Sequence, residues 1–140
     1  MITSRTGLPL PHAYPFLLLD RIDAVHPGEG AEATKQVTAD DPVVDDAGTL
    51  SSVFCVEAMA QCAGLAVAGI QQTLAAMLVG VDRFRSRGRI RIGDTVRVKV
   101  RIVKIFGRTV KARGTLQVGR RVCAAAELVL QLGAPPDTVP

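Results

Sequence analysis

Between Asp46 and Asp82 the chain carries a single formal charge, Glu57. A helix in such a stretch has no charged face to turn to water, so the fold must enclose it. The run from Ala58 to Val81 is long enough to span a bilayer. It also holds Gln61, Gln71, Gln72 and Thr73 and the glycines Gly64, Gly69 and Gly80. That mixture predicts a helix inside a small protein, followed by a buried strand. At 140 residues the chain has the size of one domain with a real core. Hydrophobic content is 48% with 4% aromatic, so the core must be built mainly from Val, Ile, Leu and Ala.

Charge is divided along the chain. Residues 1–82 carry ten acidic and three basic side chains, and residues 83–121 carry fourteen basic and one acidic. The basic half alternates. Val96, Val98, Val100 and Ile102 share one face of Thr95–Ile102. Val110, Ala112, Gly114, Leu116 and Val118 share one face of Thr109–Val118, and Val122 to Leu132 repeats the pattern. Period two over such lengths predicts strands with one dry and one wet face, joined at Gly107-Arg108 and Gly119-Arg120. Upstream, Phe16–Val25 and Gly30–Val37 read as strands around the turn His26-Pro27-Gly28-Glu29. The helix is expected from Ser51 or Ser52, either able to cap it, to about Ala68, and a strand follows over Leu74–Phe84. Two strands, an apolar helix and four strands fit an antiparallel sheet wrapped around the helix, an α+β class.

Several segments resemble the (3R)-hydroxyacyl-acyl carrier protein dehydratases, the FabZ family. They are Leu8-Pro9-Leu10-Pro11-His12-Ala13-Tyr14-Pro15-Phe16, then Glu57-Ala58-Met59-Ala60-Gln61-Cys62-Ala63-Gly64, Val79-Gly80-Val81-Asp82-Arg83-Phe84-Arg85, and Ile92-Gly93-Asp94. The resemblance covers residues 8–132. It implies a single hot-dog domain over residues 1–140, with 133–140 a flexible tail, and a homodimer or higher homo-oligomer with sites at the subunit interface. It also implies a substrate held as a thioester on acyl carrier protein or coenzyme A, in fatty acid or polyketide-type synthesis.

In the family a His and a Glu from opposite subunits eliminate water. Glu57 matches the Glu. The His has no counterpart: Ala47 stands near its position, in a loop shorter than the family pattern. Asp45, Asp46 and His12 are candidate replacements for the base, although Asp45 and Asp46 also suit a loop before a helix. Gly48, Gln61, Tyr14 and Phe16 are candidate substrate-binding residues, with Gly48 and the first helical amides offering N–H groups to the thioester oxygen. Arg83, Arg85 and Arg87 are candidate carrier-protein contacts, in an alternating row that runs on to Arg89 and Arg91.

Glu57 and Gln61 lie one turn apart and share a helix face with Gly64 and Ala68. Cys55 points elsewhere. Three cysteines without a CxxC pair suggest buried free thiols, no disulfide and no metal site. The N-terminus lacks a signal-peptide core, so a cytoplasmic location is expected. No cofactor, membrane partner or nucleic-acid partner is indicated; aromatics for base stacking are scarce. Two alternatives stand beside the dehydratase: a hot-dog acyl thioesterase using Glu57, and a non-catalytic acyl-binding or partner subunit.

Overall fold

The computed structural model describes residues 18–41, 44–68 and 76–133. Strands β1 (Arg21–His26) and β2 (Gly30–Gln36) precede helix α1 (Ser52–Val67). Then come β3 (Ala76–Ser86), β4 (Thr95–Phe106), β5 (Thr109–Val118) and β6 (Arg121–Leu132). They form one six-stranded sheet in the order β1-β2-β4-β5-β6-β3, antiparallel at every pairing. The helix lies mainly across β4, β2 and β5, as the sheet-around-helix reading requires.

The alternating faces decide the packing. Val96, Val98, Val100, Val110, Ala112, Leu116, Leu128 and Leu130 are buried beneath the helix residues Ala58, Met59, Cys62, Ala63 and Ala66. Gly114 sits directly under Met59. A β-carbon there would lie 3.0 Å from the Met59 side chain, so the sheet can close on the helix only because that strand position is bare. At the other end of the helix the β1–β2 turn holds the last carbonyls: the Gly28 amide donates to Ala66 O at 2.9 Å.

The element boundaries depart from periodicity in instructive places. β1 begins at Arg21, later than expected. Leu18 and Leu19 are both buried, which breaks alternation, and this arm is fastened at Asp20. The Asp20 amide donates to Thr34 O at 2.9 Å, and its carboxylate accepts the Gln36 amide at 2.7 Å. Ser51 occupies the N-cap position in extended conformation, but its hydroxyl makes no capping bond. Instead Ser51 O accepts the Phe54 and Cys55 amides. β4 runs four residues past the predicted Ile102, because an irregularity between Ile102 and Lys104 resets its alternation.

Candidate active site

Glu57 is half-buried on α1, and its support comes from the next turn. Gln61 is 1% exposed. Its Nε2 donates to Glu57 Oε1 at 3.2 Å, and its Oε1 accepts the Leu18 amide at 2.9 Å. A buried amide must satisfy both ends of its side chain. Here one end anchors the arm before β1 and the other orients the only acidic group of the helix. The one-turn spacing noted in the sequence is therefore a physical contact.

The loop before the helix is organised by Asp45. Its Oδ1 accepts the Ala47 amide at 3.0 Å and the Thr49 amide at 2.9 Å. That use fits loop building, and it argues against Asp45 as a replacement base. Asp46 and Ala47 are exposed. Gly48 has φ +74, a conformation suited to glycine, and the Ile92 side chain lies 3.1 Å from where its β-carbon would be. Its amide donates to Asp45 O at 2.9 Å, closing the loop ahead of the helix. Of the first helical amides those of Phe54 and Cys55 donate to Ser51 O, which leaves the Ser52 and Val53 amides as candidates. Tyr14, Phe16 and His12 lie outside the described residues.

A cavity of about 250 Å³ opens at the helix start, lined by Ser51, Ser52, Cys55, Arg89 and Cys123 among others. Beside it, sharing Gly88 and Cys123, is a groove of about 460 Å³ edged by Arg85, Arg87 and Arg121. Glu57 borders neither: Cys55 faces the cavity, and two residues along a helix turn to another side. Among the described residues the carboxylate and the basic groove are therefore not gathered into one site.

The arginine row is not a strand face. Arg83 has φ +53 within a register shift between Asp82 and Arg85, and its guanidinium lies 3.8 Å from Glu127. β3 ends at Ser86, so Arg87, Arg89 and Arg91 belong to the following connection. Of the three candidate carrier contacts, Arg85 and Arg87 meet in the groove and Arg83 is drawn away. Arg121, not singled out in the sequence, joins them, with its Nη2 donating to Arg89 O at 3.0 Å.

Lys35 was also missed. It is 4% exposed and paired with Asp41 at 2.5 Å. A signal was present: Lys35 is in phase with Ala31, Ala33 and Val37, the dry face of β2.

All three cysteines are free and buried. Burial pushes the Cys55 thiol up to about 11, reinforced by Cys123. It pushes Cys62 up to about 12, with Glu32 and Asp23 adding to the effect. Cys62 Sγ sits 3.5 Å from Ala31 O as a weak donor. Cys55 and Cys62 are core thiols and poor nucleophiles. Among the described residues no group of three or more His, Cys, Asp or Glu side chains could hold a metal.

A family model described as ApeP dehydratase matches residues 7–135. The chain belongs to the ApeP-like dehydratases. This dehydratase is 40% identical to the 3-hydroxyacyl-[acyl-carrier-protein] dehydratase FabZ of a Thermoanaerobacter species over 126 residues, covering 86% of the chain and 89% of the relative. Its fold matches the dehydratase heterocomplex ApeI:P from Xenorhabdus doucetiae with TM-score 0.81 at 19% identity, over 92% of the chain and 91% of that structure. It also matches a hypothetical thioesterase with coenzyme A from Streptococcus pneumoniae with TM-score 0.70 at 13% identity, over 82% and 89%. The hot-dog fold expected of this dehydratase is thus the fold observed.

Proposed function

We propose that this dehydratase eliminates water from 3-hydroxyacyl thioesters carried by acyl carrier protein, with Glu57 as its acidic group. The carrying observation is the Gln61–Glu57 contact, an oriented carboxylate on an otherwise apolar helix. In the step, a base takes the proton alpha to the thioester carbonyl. The β-hydroxyl leaves as water with a proton delivered by Glu57, and amides at the helix start stabilise the charge gathering on the thioester oxygen. Arg85, Arg87 and Arg121 suit the phosphate that links acyl arm to carrier.

We take the base from a partner subunit, ahead of Asp46 and His12 of this chain. Asp45 is committed to its own loop, and Ala47 offers no titratable group. The other side of the proposal is the edge strand β3, where Met77, Val79 and Val81 are 68%, 55% and 42% exposed. An edge strand with apolar side chains favours pairing with another chain. We take the working unit to be at least a dimer of single-domain chains in the cytoplasm. The solved ApeI:P structure is a dehydratase heterocomplex, which favours a second dehydratase subunit as the partner.

The test is hydration of an enoyl thioester by the pure protein and by the protein mixed with a His-bearing dehydratase subunit. Glu57→Gln is expected to lower turnover by ~10²–10⁴-fold in whichever preparation is active. Unchanged turnover removes Glu57 from the mechanism. Release of free thiol from acyl-coenzyme A, without hydration, would instead make the protein a thioesterase.

A further inference from the structure

The end of the molecule away from the helix start carries a surface that the reaction does not use. β2 pairs with β4 only as far as Gly30 opposite Arg101. Ile102 is held by Glu29, its amide donating to Glu29 O at 2.7 Å. Beyond that point the β4–β5 hairpin continues to Phe106 opposite Thr109. At this end of the hairpin β4 has lost β2 as a neighbour, while β5 stays paired with β6 as far as Thr109 opposite Gln131, and Val103, Ile105 and Phe106 are 52%, 37% and 48% exposed.

Cations crowd the same hairpin. Arg101 lies directly across from Arg113, and Lys104 across from Lys111. Like charges in opposed positions cost stability, so the sheet tolerates an unfavourable arrangement here. The carboxylates of the outer face do not relieve it fully. Glu32 pairs with Lys99 at 3.1 Å, and Glu127 is shared by Arg113 at 3.4 Å and Arg83 at 3.8 Å. Among the described residues Arg101, Lys104 and Lys111 have no ion pair. The Lys104 ammonium instead rests 5.3 Å from the centre of the Phe106 ring.

Two needs coincide: apolar side chains to be taken out of water, and cations to meet anions. A second copy of this surface brings the same sign of charge. An acidic protein answers the cations but leaves the apolar tip without a role. Nucleic acid would find one aromatic ring. An anionic bilayer answers both needs, with the tip at the acyl boundary and the ammonium and guanidinium groups at the level of the phosphates. We propose that the β4–β5 hairpin is a docking prong for anionic phospholipid, holding the enzyme at a membrane surface through Phe106, Lys104 and Lys111. No helix among the described residues is long and apolar enough to cross a membrane; the prong would rest on the surface only.

The experiment is co-sedimentation of the full chain with vesicles of phosphatidylcholine alone and of phosphatidylcholine mixed with phosphatidylglycerol. Binding is expected only to the anionic vesicles, with release at high salt as the phosphates are screened. Lys104→Gln and Lys111→Gln should each weaken partitioning by roughly fivefold, and Phe106→Ser should weaken it as well. All three variants should keep the native far-ultraviolet dichroism, so that lost binding is not lost folding. No sedimentation with anionic vesicles overturns the proposal. So does Phe106→Ser binding as the unsubstituted protein does. An acidic carrier protein whose affinity falls in the Lys variants, with vesicle binding untouched, would assign the surface to a protein instead.

Discussion

At the scale of single residues, Glu57 and Gln61 make separable predictions. Glu57 is half-buried and placed by its neighbour, so Glu57→Gln should cost turnover with little change in melting temperature. Gln61 is fully enclosed and bonded at both ends. Gln61→Leu strands the Leu18 amide, a loss of about 1–3 kcal/mol, and lets Glu57 drift. Misplacement of a reacting group by an ångström costs ~10²-fold. Gln61→Leu should therefore lower both thermal midpoint and kcat, measured by calorimetry and by enoyl hydration, whereas Glu57→Gln lowers kcat alone. Cys62 makes a prediction of a different kind. Its folded thiol titrates near 12 against an ordinary value of 9.0, so above pH ~9 the unfolded chain loses a proton that the folded chain keeps. Stability from this group is complete below pH ~9 and is lost as pH rises toward ~12. Thermal melts should show that decline, with a shallower slope in Cys62→Ala.

At the scale of elements, the buried Lys35–Asp41 pair ties β2 to the chain leading toward the helix. Removing one partner of such a pair is far costlier than replacing both. Lys35→Met should destabilise by roughly 3 kcal/mol, and Lys35→Met with Asp41→Leu by markedly less, read from urea midpoints. Strands β2, β5 and most of β6 were legible from alternation because each keeps one register against its neighbours over most of its length; the start of β6 was not, since the register shifts between Leu116 and Gln117 and Val122, expected on the dry face, is 45% exposed. β3 and the end of β4 were not, because a bulge is set by the strand across from it: the irregularities at Asp82/Arg85 and Ile102/Lys104 arise in pairings with β6 and β5. This is why five arginines in alternation did not make a face. Of the site, Glu57 and Gln61 could be read because helix spacing alone brings them together. Arg121 could not, since only the β6 fold-back carries it to Arg85 and Arg87.

At the scale of the whole molecule, the order β1-β2-β4-β5-β6-β3 sets β3 apart from both of its neighbours in sequence. β3 finds its partner in β6, and β2 in β4 across the entire helix. Only β4, β5 and β6 form a run of consecutive hairpins. Closing short loops is quicker than closing long ones, so this three-stranded meander should gain structure first, as a platform onto which α1 then lays its apolar sides. Pulsed hydrogen exchange during refolding should show amides of β4–β6 protected before those of β1 and β3. In a growing chain the consequence is a delay. The helix that holds Glu57 leaves the ribosome well ahead of the strands that will cover it, and until β6 is made it must wait with its greasy surface bare. Chaperone binding during synthesis should therefore peak after α1 has emerged and fade once Leu132 has.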